Sequence, residues 1–216
     1  MLTQEQIDRV EAACQELPLE RVFALSLAAA HRTLPVYQAY SEAHPKLRGH
    51  GLVHDALVGA WRVLRARPGA SAVQLTPRIE DAINSAQSEL HLINEADEFL
   101  LPEALAAESI TAATLALSAY REGSRADAFN AMIGALEVDR VWAEGEADQG
   151  EHEGLVSWDR LMSHYAQQVR DIDLLSDIGE SNEKQLFRDV AMRAEQEGMA
   201  FLIPMRGIVS ATSSDR

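Results

Sequence analysis

Apolar residues recur at helical spacing along almost the whole chain, and this pattern predicts an all-α fold. The first helix should begin after Thr3, because Gln6 completes a capping box with it. Its buried face should carry Ile7, Val10, Cys14 and Leu17. The segment from Leu19 to Arg32 is apolar on most sides, which is typical of a central, buried helix.

Proline and glycine positions divide the remaining pattern into further helices. We expect Leu34-Pro35 to break or restart the central helix, Thr76-Pro77 to begin a helix, and Pro102 to begin another. Gly123 should end a helix and Ser124 should cap the next, so these two helices should be antiparallel neighbours.

Together the segments predict an all-α, single-domain bundle of about eight helices. The domain should span residues 1–203, with 201–204 docking as a short extended piece. Residues 204–216 should form a flexible C-terminal tail, because they end in small and polar residues.

The charge and composition restrict the classes of partner. The chain has 34 acidic and 19 basic residues and a net charge of −15. Such a surface repels nucleic-acid phosphates and anionic membranes, so we expect neither as a partner. One cysteine, no basic leader and no long apolar run favour a cytoplasmic protein with no signal peptide.

Motifs for catalysis, cofactors or metals are largely missing from the sequence. None of the seven histidines follows a glutamate by three residues, which argues against a ferritin-type site. His50 and His54 could share a helix face and bind a metal, although Gly49 and Gly51 indicate a loop there. Cys14 should be an inert, packed thiol. We therefore predict no catalytic residue, no metal and no cofactor.

Two acidic segments are the main anomaly of the sequence. Seven acids and one base lie between Glu137 and Glu153, and the part from Glu144 to Gly154 is expected to be a loop. The second segment, Asp171 to Glu183, has no base before Glu183. In the first segment, Glu144, Glu146 and Asp148 alternate as calcium ligands do, but Gln149 stands where an EF-hand needs glycine. A solvated loop and a docking surface for a basic partner remain the alternatives. The predicted partner-binding residues are Glu144, Glu146, Asp148, Glu151, Glu153, Asp171, Asp173 and Asp177.

Three longer stretches carry a family resemblance. The first, at 21–37, is an apolar helix that ends in Leu-Pro-Val-Tyr. The second, at 93–120, is an acidic turn followed by a helix of small residues. The third, at 158–175, is followed by a closing Phe-Arg-Asp-Val helix at 187–190. In these stretches the chain resembles the bacterial domain-of-unknown-function 416 family. That resemblance implies an all-helical fold and supplies no catalytic residue.

The alanine-rich pair of helices between Leu105 and Trp142 is similar to helical immunity proteins of bacterial polymorphic-toxin systems. That resemblance implies a non-enzymatic protein that binds and neutralises a cognate basic toxin. A housekeeping helical protein, as a monomer or a homodimer, is the alternative. A metal-dependent hydrolase that uses Glu95 and Glu98 is a third.

Overall fold

A computed structural model of the protein describes residues 2–66, 72–95, 100–148, 154–177 and 182–214. These residues form eight helices and no strand, which confirms the predicted all-α multi-helix fold. The helices are α1 (Gln4–Glu16), α2 (Leu19–Ala43), α3 (Gly49–Arg65), α4 (Ala72–Asn94), α5 (Leu101–Glu122), α6 (Arg125–Asp148), α7 (Gly154–Ser176) and α8 (Glu183–Ser214). One core cluster contains residues from all eight.

Helix α2 is the central element, as its sequence predicts. Every residue from Arg21 to Tyr37 is buried, because α3, α5, α6, α7 and α8 all pack against it. Burial on all sides explains why this helix lacks a polar face. Its most extensive neighbour is α8.

Pro35 does not break α2, contrary to the sequence-based prediction. Proline has no N–H to donate to the carbonyl of His31, so an isolated helix would lose stability there. Here the neighbouring helices hold the segment in place, and Gly198 of α8 approaches the same carbonyl. A Cβ on Gly198 would lie 2.6 Å from the His31 oxygen.

Pro77 and Pro204 also lie within helices. Helix α4 begins at Ala72, so Thr76 and Pro77 do not form its start. Helix α8 continues through Pro204 to Ser214, so residues 201–204 are not extended. The predicted flexible tail is wrong for residues 204–214, since these are helical and bury Met205 and Val209.

The helix caps and stops at Thr3 and at Gly123-Ser124, which were predicted from a few adjacent residues, are confirmed. Thr3 and Gln6 form the complete capping box at the start of α1. Gly123 has a φ of 73° and ends α5, while the Ser124 hydroxyl accepts from the Asp127 N–H at 3.1 Å. This two-residue link joins α5 and α6 as neighbours. None of the helices in the described part of the chain is long and apolar enough to cross a membrane.

A buried histidine lies where α2 meets α3. His31 is 8% exposed, and its Nδ1 accepts a hydrogen bond of 2.8 Å from the Trp61 indole N–H. Burial, together with the charges of His54 and Arg65, lowers the pKa of His31 to about 3. The folded protein therefore favours the neutral imidazole.

This histidine should make stability depend on pH. In the unfolded chain its pKa is about 6.5, so acid favours unfolding between about pH 6.5 and 3. One such group removes up to about 1.4 kcal/mol per pH unit. We expect His31→Gln to show a shallower fall in the urea unfolding free energy between pH 6.5 and 5. His91→Gln, at an exposed histidine, should keep the parent slope; equal slopes in all three proteins would contradict this assignment.

Candidate partner-binding surface

The first acidic segment is helical over much of its length. Residues 144–148 belong to α6 and not to a loop, which corrects the prediction for this part. Glu144 is exposed, and Arg140 donates to its carboxylate at 2.5 Å and to that of Glu137. Pairs three and four residues apart support a helix. The side chains of Glu146 and Asp148 lie outside the description, as do residues Glu151 and Glu153 entirely.

Charge at this end of α6 is partly neutralised. Glu108 of α5 lies close to Glu137. The pKa of Glu108 is raised mainly by burial and also by the charge of Glu137, while the charge of Arg140 lowers it. Hydrogen bonds to Glu137 and Glu144 raise the pKa of Arg140. These three acids therefore surround one firmly charged guanidinium, which leaves a small negative excess.

Asp171 is not a surface residue, which corrects its assignment to the partner-binding set. It is fully buried, and Arg32 and Arg193 donate to its two carboxylate oxygens, the latter at 2.9 Å. Arg32 is only 1% exposed and also donates to Glu197 at 2.7 Å. Asp171 thus holds α7 to α2 and α8 through ion pairs.

Asp173 and Asp177 are exposed, as predicted, and Asp173 contacts α1. Arg9 of α1 donates to Asp173 at 2.7 Å. Burial raises the pKa of the Tyr165 hydroxyl. The charge of Arg9 lowers this pKa, and the charges of Glu5 and Asp173 raise it. Helix α1 itself carries four exposed acids and one exposed base. The acids of α1 are Glu5, Asp8, Glu11 and Glu16.

The two acidic segments do not form one continuous patch. Helices α6 and α7 are antiparallel, since Asp139 contacts His164 and Gln168 contacts Met132. In that register Glu144 lies opposite residue 159, about 21 Å along the axis from Asp173 at 1.5 Å per residue. The chain therefore offers two separate acidic surfaces. We call the surface of Glu5, Asp8, Glu11, Asp173 and Asp177 the α1–α7 surface.

The other candidate residues give no assembled metal or catalytic site. His50 and His54 do share a helix, because α3 begins at Gly49, and their rings are 6.3 Å apart. No group of three metal-binding side chains occurs in the part of the chain that is described. Cys14 is buried, which raises its pKa to about 12. Glu95 lies at the exposed end of α4, and Glu98 falls outside the described residues.

One polar pair was missed by the sequence analysis. Asp139, one of the acids of the first segment, is fully buried, and its carboxylate lies 2.6 Å from Nδ1 of His164. The two residues are on different helices, so no spacing in the sequence reveals them. A useful signal would have been the helical spacing of Leu161, His164, Gln168 and Leu175, which are all buried.

Comparisons with known proteins found no match to this chain. No protein-family model matches the chain, and no curated protein or solved structure matches it.

Proposed function

We propose that the protein is a non-enzymatic, immunity-type binding protein that neutralises a basic partner protein through an acidic surface. The observation that carries the proposal is the exposed excess of acid on α1 beside Asp173 and Asp177. Because only Arg9 offsets these acids in α1, the α1–α7 surface keeps most of its negative charge. The similarity of the alanine-rich helices to immunity proteins supports the same class.

Electrostatics supports a basic protein partner of this kind. A negative surface attracts a positively charged face, such as a nuclease cleft that holds phosphates, and accelerates its association. The same field repels nucleic acid and anionic membranes. The Glu144 end of α6 is a second surface of the same sign, although Arg140 reduces its charge.

Charge reversal tests both the function and the surface. We expect a basic toxin encoded beside this chain to co-purify with it and to lose its toxicity in the complex. In Asp8→Lys/Glu11→Lys/Asp177→Lys, association should slow by about tenfold or more at low salt, and its dependence on salt should flatten. These substitutions leave the Arg9–Asp173 pair intact.

Two variants of equal charge serve as controls. Asp55→Lys/Asp81→Lys/Glu195→Lys changes exposed acids on α3, α4 and α8. Glu144→Lys/Glu146→Lys/Asp148→Lys changes the end of α6. Each triple reversal takes the net charge from −15 to −9, so the variants differ only in where the charge lies. Equal slowing in all three would overturn a localised surface, and failure of the neighbouring toxin to bind would overturn the function.

A further inference from the structure

A cavity of about 320 Å³ lies between α7 and α8. Its α7 wall is one helix face, because the residues follow one another at helical spacing. The lining residues are Asp159, Arg160, Ser163, His164 and Gln167 from α7, with Glu197, Ala200 and Phe201 from α8. Small-molecule pockets have volumes of about 300–1,000 Å³, so this one suits a small ligand.

His164, which lines this cavity, has a ring nitrogen with an unmet hydrogen bond. Its ring is 2% exposed, and Asp139 fixes the ring through Nδ1 at 2.6 Å. The other ring nitrogen, Nε2, is buried and has no hydrogen-bond partner among the described residues. A buried polar atom without a partner is unfavourable, so a ligand that bonds to Nε2 would be stabilised.

Arg160 adds a positioned cation at the same cavity. Its guanidinium lies 4.3 Å from the ring centre of Trp142 and 4.8 Å from that of Phe201. Cation–π contacts with both rings hold the guanidinium in place and leave its N–H groups free to bond elsewhere. In the described part of the chain, no carboxylate forms an ion pair with it.

The charges around the cavity favour a single negative charge. Glu197 is neutralised by Arg32 at 2.7 Å and by Arg170 at 2.5 Å. Hydrogen bonds and charges from these two arginines keep the pKa of Glu197 low against the opposing effect of burial. Asp159 at the rim is exposed and remains as the nearby acid. One stacked arginine beside one acid suits a monoanion better than a dianion.

We propose that this cavity binds a small monocarboxylate. The fork of Arg160 holds the carboxylate, and Nε2 of His164 offers a second hydrogen-bonding atom, while its Nδ1 is paired with Asp139. The hydrocarbon part of the ligand packs against Ala200 and Phe201. This site is separate from the α1–α7 surface and holds whether or not the protein binds a toxin.

Nuclear magnetic resonance titration tests the ligand class. The probes are butyrate and benzoate, their neutral amides, and inorganic phosphate, each at constant ionic strength in sodium chloride. We expect saturable shifts of the Trp142 indole and His164 imidazole signals with the carboxylates. Affinity for the amides and for phosphate should be lower by at least about tenfold. No saturable carboxylate binding, equal binding of the amides, or tighter binding of phosphate would each overturn the proposal.

Variants then locate the binding. Arg160→Gln should weaken carboxylate binding by at least about tenfold, and Arg160→Lys should weaken it less, because it keeps the charge but loses the fork. Arg206→Gln, at an exposed arginine elsewhere on α8, should bind like the parent protein. Thermal melting of each variant confirms that it folds. Parent-like affinity in the folded Arg160→Gln or Arg160→Lys protein would place binding elsewhere and refute the site.

Discussion

Replacing Asp171 by alanine should lower the free energy of unfolding by about 3–5 kcal/mol. The reason is that Arg32, only 1% exposed, would lose one of its two carboxylate partners and keep only Glu197, which it shares with Arg170. Arg193 would also lose its partner. Removal of one member of a buried ion pair is costly even where the pair itself contributes little net stability. Urea unfolding monitored by circular dichroism measures the change.

Asp173→Ala is the matched control on the same helix. Asp173 also forms an ion pair, with Arg9, but both side chains are about half exposed, so the loss should be below about 1 kcal/mol. A double variant, Arg32→Met/Asp171→Leu, should recover much of the stability lost in Asp171→Ala, because it removes both charges. Equal losses in Asp171→Ala and Asp173→Ala would show that the buried network is not the cause.

Gly198→Ala should lower the free energy of unfolding by about 3 kcal/mol, since forcing extra atoms into a packed interface costs this order of energy. The added Cβ would lie 2.6 Å from the His31 carbonyl oxygen and 3.0 Å from that of Arg32. Both are backbone atoms of a helix held on all sides, so α8 must move away from α2. The same urea titration measures this effect.

At Gly207 of the same helix, we expect substitution by alanine to have the opposite effect on stability. A Cβ there would meet nothing within 4 Å. Because alanine favours a helix over glycine, Gly207→Ala should raise the free energy of unfolding by up to about 1 kcal/mol. If both substitutions stabilise, the close approach of α8 to α2 is not a constraint on position 198.

The sequence predicts those features that depend on a few adjacent residues. The capping box at Thr3 and the Gly123-Ser124 link are local, so tertiary packing reinforces them and does not compete. The burial of α2 follows from a segment that is apolar on most sides. The number of helices follows from these stops and from the apolar spacing.

Pro102 begins α5 as predicted, but the predictions at Pro35, Pro77 and Pro204 were wrong because tertiary packing opposes a local preference. Pro35, Pro77 and Pro204 all lie inside helices. Each removes one hydrogen bond, but the helix around Pro35 is buried along its length, and that burial outweighs the local loss. Sequence alone does not show how much packing a segment will gain.

The buried polar residues of α7 were missed for a different reason. Hydrophobicity selects a face with Met162 and Tyr165, yet Met162 is 46% exposed. The face that is buried carries His164, Gln168 and Asp171, whose partners come from α2, α6 and α8. Such residues look solvated until the partners are known, and they lie 22 to 139 residues away along the chain.

The central position of α2 also affects how the chain folds during synthesis. Helix α2 is made before α3 to α7, whereas α8, its most extensive neighbour, is made after them. While α3 to α7 are being translated, the side of α2 that α8 will cover stays open to water or to a chaperone. A nascent chain halted before α8 should therefore expose an apolar groove and aggregate, because the long-range contacts that close it do not yet exist.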